Sequence, residues 1–151
     1  MARLQVPAVE GWFTVPTDGE APTLIGAKCS QCGTYVFPPR TGFCPNPSCE
    51  GEGLETVPLS SRGRIWSYTE NRYAPPPPFV VTTDPFQPYA IAAVELEAEG
   101  LVILGQVGHG IMAADLKVGM EMEIEIDVLC STDEHDELVW KWIPAAPKAG
   151  Q

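Results

Sequence analysis

A mainly β fold is predicted here: a small cysteine-stapled ribbon followed by a compact β-barrel. Two observations predict it. Cys29, Cys32, Cys44 and Cys49 form two close pairs, C-x-x-C and C-x-x-x-x-C, separated by eleven residues. From Leu54 to Ile143, short apolar runs alternate with turn residues, and the only helical candidate is a weak one at 111–116. Several short strands of this kind suit a small closed barrel.

The elements follow in order. Residues 1–27 form an N-terminal arm, whose Val9-Glu10-Gly11-Trp12-Phe13 holds an apolar patch broken by glycine. Trp12 and Phe13 are expected to pack on the body of the protein or on a partner. Leu24 to Ala27 lead into the ribbon, residues 28–54, as its first strand, and Tyr35-Val36-Phe37 is a second strand ended by Pro38 and Pro39. Gly33 follows the first cysteine pair, and Pro45, Asn46 and Pro47 fill the second, so both pairs sit on tight turns. Two such knuckles place four thiolates at the corners of a tetrahedron, the geometry of a structural zinc ion. Two disulfides or four packed thiols would use the same residues, but paired spacing favours metal. A ribbon this small needs that metal for folding energy.

Residues 55–144 are the barrel and residues 145–151 a flexible tail. Gly63 to Thr69 alternate, with Ile65, Ser67 and Thr69 on one side and Trp66 and Tyr68 on the other. Tyr89–Leu96 and Leu101–Val107 are apolar runs joined by Glu97-Ala98-Glu99-Gly100, which reads as a hairpin. Met120 to Val128 alternate apolar and acidic residues without error, giving one buried face and one ladder of carboxylates in water. Leu138 to Ile143 form the last strand.

Net charge is −11, from 20 acidic and 9 basic residues. Nucleic-acid binding depends on cations that neutralise phosphates, so that class is disfavoured, although Trp66, Tyr68 and Tyr73 on such a sheet could stack bases. Nothing approaches the ~20 apolar residues of a membrane span, and no leader pattern opens the chain. With reduced cysteine ligands, this points to the cytoplasm.

Between the first barrel strand and the hairpin, six prolines and four aromatics lie between Tyr73 and Tyr89. Pro75 to Pro78 favour a stiff polyproline II rod. Such a loop loses little entropy on docking and suits a binding surface. It also suits a cover over one barrel end; recognition by an SH3-type domain is the weakest of the three readings.

Lys28-Cys29-Ser30-Gln31-Cys32-Gly33, Phe37-Pro38-Pro39-Arg40, Cys44-Pro45-Asn46-Pro47-Ser48-Cys49, Gly63 to Thr69 and Leu116 to Met122 together carry a resemblance. They look like the family that joins a rubredoxin-like zinc ribbon to an OB fold and occurs beside thiolases and thiolase-like enzymes. The likeness runs from about residue 10 to residue 144. The opening Val9 to Phe13 and the proline loop resemble two members most. One is the C-terminal domain of the acyl-CoA hydratase subunit that binds the steroid side-chain aldolase; the other is the small subunit of benzoylsuccinyl-CoA thiolase. The first is usually fused behind a hydratase-like domain, so this chain, which starts at Met1 without one, is expected to be a free-standing subunit or an excised domain.

The resemblance implies a non-catalytic subunit that binds a thiolase-fold partner, as a hetero-oligomer of two plus two, and helps form its acyl-CoA site. The reaction implied is retro-aldol cleavage of a steroid side-chain acyl-CoA releasing propionyl-CoA, or thiolysis of an aromatic acyl-CoA. Arg62, Arg64 and Arg72 are the basic residues outside the ribbon that a CoA phosphate could meet, with Lys28 and Arg40 flanking the knuckles. Pro75 to Phe79, with Phe86 and Tyr89, form the expected wall for pantetheine. Arg64, Arg72, Tyr73, Pro77 and Phe79 are the residues assigned to acyl-CoA. No catalytic residue is expected from this chain. His109 is a loop residue or a contact to the partner's site, His135 is on the surface, and Cys130 is a small buried hydrophobe. Glu121, Glu123, Glu125 and Asp127 are a solvated face. Four thiolates leave zinc no open position for water, so the metal is catalytically silent.

Overall fold

Six strands form the larger of two sheets, and three form the smaller. The protein is described by a computed structural model over residues 4–15, 21–77, 86–108 and 110–145. In the small sheet, β2 (Ile25–Cys29) lies between β3 (Tyr35–Val36) and β4 (Leu54–Pro58), antiparallel to both. The large sheet takes β1 (Leu4–Pro7), β5 (Arg62–Asn71), β6 (Tyr89–Leu96), β7 (Leu101–Gln106), β8 (Glu121–Ser131) and β9 (His135–Pro144). Their order is β1-β9-β8-β5-β6-β7. Among the described residues, no helix is long and apolar enough to cross a membrane.

Alternation places the strands as read from the sequence. Along β6, Ala90, Ala92, Val94 and Leu96 are fully buried while their neighbours face outward. Met122 and Ile124 of β8 are buried with them. The hairpin joins β6 to β7 with Leu96 opposite Leu101, and Gly100 closes it at a φ of 68° that favours glycine. Central β5 pairs with both β6 and β8, and β8 pairs with β9. Val107, just past β7, meets Trp142 of β9 in a parallel bridge. This connectivity is the five-stranded Greek key of an OB barrel.

Three expectations change. The barrel is partly open, because β1 runs parallel along β9 from His135 to Leu138 and leaves β7 only the bridge at Trp142. A bulge at Trp66 breaks the simple alternation of β5: Ile65 is opposite Val94 and Ser67 opposite Ala93. Ile65 is therefore buried while Ser67 and Thr69 are exposed. The helical stretch reduces to one 3-10 turn, Ala113–Asp115.

Arm, ribbon and barrel share one core. Phe13 of the arm and Leu24 and Leu59 at the ribbon's edge join Ile65, Val94, Met122 and Trp142 in a single cluster. An edge-to-face series of rings crosses all three. Trp12 meets Phe37 at 5.7 Å, Phe37 meets Trp140 at 6.2 Å, and Trp140 meets Trp142 at 5.5 Å. Gly105 makes room for the last pair, since a Cβ there would overlap the Trp140 ring.

Candidate functional site

The four knuckle cysteines converge. Cys29 ends β2, Cys32 follows in the turn closed by the Gly33 amide on the Cys29 carbonyl (3.0 Å), and Cys44 and Cys49 flank the Pro45 to Ser48 turn. Their sulfurs all lie within 4.8 Å of one another. Cys29 and Cys49 are 3.9 Å apart, and Cys32 and Cys44 3.5 Å. A disulfide needs about 2.05 Å. A tetrahedron of thiolates around zinc, with Zn–S of about 2.3 Å, spaces its sulfurs by about 3.8 Å.

The protonation chemistry fits a cation at the centre. Hydrogen bonding with the Thr34 hydroxyl (3.1 Å) and then the Thr34 amide brings the Cys32 thiol down to about 6. At Cys44 the Asn46 amide acts in the same direction, but burial and the sulfurs of Cys32, Cys29 and Cys49 outweigh it and push the thiol up to about 12. Four thiolates this close repel without a metal, and a divalent ion removes that conflict. The Gly51 amide donates to Cys49 Sγ at 3.3 Å and helps orient that sulfur. Four sulfurs close the coordination sphere, so an ion held here would brace the ribbon without meeting substrate.

The carboxylate ladder of β8 is paired rather than merely solvated. Arg62 bridges Glu121 (2.9 Å) and Glu123 (3.1 Å), and Lys141 holds Asp127 (2.9 Å). Arg64 stands between Glu95 and Glu121 on the outer face, and Arg72 pairs with Glu70 (2.9 Å). Arg64 and Arg72 lie at opposite ends of β5, about 26 Å apart for eight strand residues. Tyr73 is 83% exposed, and Pro77 is exposed nearby. The Asn71 amide donates to the Tyr73 carbonyl (3.0 Å) and to the Tyr89 hydroxyl (2.9 Å), pinning both ends of the proline loop. Phe86 packs edge-on against Tyr89 at 6.1 Å. Pro78, Phe79 and His109 lie outside the described residues.

Comparison with known proteins adds the lineage. Residues 18–55 match the model of the ChsH2 rubredoxin-like zinc ribbon domain, and residues 56–127 that of the ChsH2 C-terminal OB-fold domain. The chain belongs to the family that joins these two domains. This ribbon–OB chain is similar to benzoylsuccinyl-CoA thiolase subunit BbsA of Thauera aromatica, 38% identical over 92 residues, or 61% of this chain and 56% of that one. It is also similar to a DUF35 domain-containing scaffold protein of Methanocaldococcus jannaschii, 36% identical over 100 residues, or 66% and 64% of the two chains. The chain thus spans less than two thirds of the length of either relative. A solved structure, the Ltp2-ChsH2(DUF35) aldolase, superimposes with a TM-score of 0.58 at 27% identity, covering 82% of this chain and 86% of that one.

His135 and Cys130 of the ribbon–OB chain are both engaged. His135 is half-buried, with Nδ1 3.4 Å from the Thr132 hydroxyl and Nε2 3.6 Å from Glu137. Cys130 donates to Glu137 at 3.3 Å. That hydrogen bond, burial and the carboxylate's charge raise its pKa, which suppresses the nucleophilic thiolate. The sequence offered no sign of two clefts that the arm creates against the barrel. One of about 230 Å³ is apolar, lined by Val9, Trp12, Phe13, Leu138 and Trp140 with Gln106 at its edge. Another of about 470 Å³ runs past Gln5, Val15, Glu125, Asp127 and Ile143. Neither is lined by Tyr73 or Pro77.

Proposed function

We propose that this chain is a non-catalytic accessory subunit, in the cytoplasm, that binds a thiolase-fold partner as a two-plus-two hetero-oligomer. It braces itself with one structural zinc on Cys29, Cys32, Cys44 and Cys49 and helps form the partner's acyl-CoA site. The carrying observation is the shared ribbon–OB arrangement, which covers 86% of the chain in the Ltp2-ChsH2(DUF35) aldolase. Retro-aldol cleavage of a steroid side-chain acyl-CoA is the reaction this favours. The bond between the α and β carbons breaks, the β-hydroxyl loses its proton to become a carbonyl, and the α carbon is protonated to leave propionyl-CoA. The partner supplies the acid and base.

Tyr73 and Pro77, on a loop braced by Asn71, contribute with Phe79 to the wall this chain adds to the acyl-CoA site, and Arg72 supplies a cation for a CoA phosphate. Arg64, at the far end of β5, meets a different part of the ligand. The dispersed and ion-paired cations argue against a nucleic-acid partner.

A second reading rests on the 38% identity to the BbsA subunit: the small subunit of a thiolase acting on an aromatic acyl-CoA such as benzoylsuccinyl-CoA. The two differ in one reactant, because thiolysis consumes free CoA as the nucleophile and retro-aldol cleavage does not. Turnover of the co-expressed complex with and without free CoA separates them. Product formed without CoA supports the aldolase, strict dependence on CoA supports the thiolase, and failure of this chain to bind or to alter the partner's turnover overturns both.

A further inference from the structure

We propose that the open part of the β7 edge is where the thiolase-fold partner docks, by adding an extended strand of its own beside Val102 and Leu104. This rests on the accessory-subunit reading and specifies its interface. The Val107 amide donates to the Ala90 carbonyl (2.9 Å), and Leu96 to Ile91 pair with Leu101 to Gln106 in register. In an antiparallel ladder the bonded positions alternate. Leu101, Ile103 and Gly105 therefore bond to β6, while the amides and carbonyls of Val102 and Leu104 point away from it. β7 is the terminal strand of the order; β9 closes its Gln106 end through the bridge of Val107 to Trp142, and among the described residues Val102 and Leu104 have no ladder partner on that edge.

Edge strands of soluble proteins are blunted by charge, proline or a bulge. β7, Leu-Val-Ile-Leu-Gly-Gln, carries none of these. Leu104 is 67% exposed and Val102 45%, opposite Ala93 and Glu95 of β6. Glu95 of β6 is the one charged cross-strand neighbour of β7 on this face, and the other charged residues of the outer face lie on β8, β9 and β5. An apolar, unpaired edge next to a charged ladder has the form of a strand-addition site.

Charge selects the occupant. In a two-fold pairing of two copies, the Glu97 end of one β7 would meet the Gly108 end of the other. There Glu125 lies 3.4 Å from where a Gly108 Cβ would stand, so carboxylates would face carboxylates at both ends. A segment of another protein, apolar in its middle and carrying Lys or Arg at its ends, meets no such repulsion. The partner strand has that chemistry.

Leu104→Lys and Val102→Lys test the assignment on the full chain, with a co-expressed thiolase-fold subunit from the same organism as the binding partner. Both positions are exposed, so the isolated variants keep the wild-type melting temperature, and Val118→Lys, 70% exposed on a distant loop, serves as the control. The expected result is at least about 30-fold weaker binding for either β7 variant and none for the control. Hydrogen exchange of wild type should slow at the amides of Val102 and Leu104 when the partner is added. Equal binding by all variants, or unchanged exchange in a complex that does form, overturns the β7 assignment alone. Absence of any wild-type complex overturns the accessory-subunit reading beneath it. A wild-type homodimer that Leu104→Lys converts to monomer overturns the choice of occupant.

Discussion

Replacing Phe37 with alanine should uncouple the ribbon from the barrel. The ring is half-buried and bridges Trp12 at 5.7 Å and Trp140 at 6.2 Å, both edge-to-face. Each such contact contributes about 0.5–1.5 kcal/mol beyond burial, so the pair is worth about 1–3 kcal/mol. Losing the half-buried side chain removes about another 1 kcal/mol of transfer energy. The sum, about 2–4 kcal/mol, is below the cost of emptying a fully buried phenylalanine site. With a urea slope of about 2 kcal/mol per molar, the midpoint should fall by about 1–2 M. Tryptophan fluorescence reports the transition directly, because Trp12, Trp140 and Trp142 line the affected series. A double-mutant cycle with Trp140→Ala should return a coupling of about 0.5–1.5 kcal/mol, with zinc still bound at one ion per chain. Coupling near zero, or two separate transitions in the wild-type protein, would refute the shared core.

Three further outcomes follow from the same geometry. Gly105→Ala drives a Cβ into the Trp140 ring and should destabilise the chain by about 1–3 kcal/mol in thermal unfolding. Cys130 is held as a thiol because Glu137 hydrogen-bonds it and, with burial, raises its pKa above the ordinary 9.0. Its thiolate fraction at pH 8 is therefore below that of a free cysteine, so alkylation there should be several-fold slower by peptide mass spectrometry, and Glu137→Gln should speed it. Excess chelator should release one zinc per chain, expose four titratable thiols, and shift tryptophan emission to the red as the ribbon loosens its hold on Trp12 and Trp140.

Much of the fold was legible because its signals are local. The cysteine spacing located the knuckles, and the hairpin and β8 declared themselves by strict alternation. What the sequence hid depends on distant partners. Leu4–Pro7 has too short a pattern to name β9 as its neighbour at the other end of the chain, and that pairing is what leaves the barrel partly open. The bulge at Trp66 inserts one residue into β5 and shifts every later side chain, so alternation read forward from Ile65 gives the wrong face for Ser67 and Thr69. Arg62, Arg64 and Arg72 look like a cluster in the sequence, but the rise of an extended strand separates them, with Arg62 engaged by Glu121 and Glu123 of β8 and Arg72 by Glu70 of β5. Trp12, Phe37 and Trp140 are each visible as apolar residues, yet only the folded chain brings them edge to face.

The central claim is that this chain completes another protein's acyl-CoA site instead of carrying out chemistry itself. Turnover of a CoA thioester should be measured for the purified chain, for the thiolase-fold subunit, and for the two mixed in equal amounts. The account predicts no turnover by the first, little by the second, and a rise in the mixture that tracks complex formation. Turnover by the chain alone, or a partner whose activity and mass are unchanged by mixing, would contradict it.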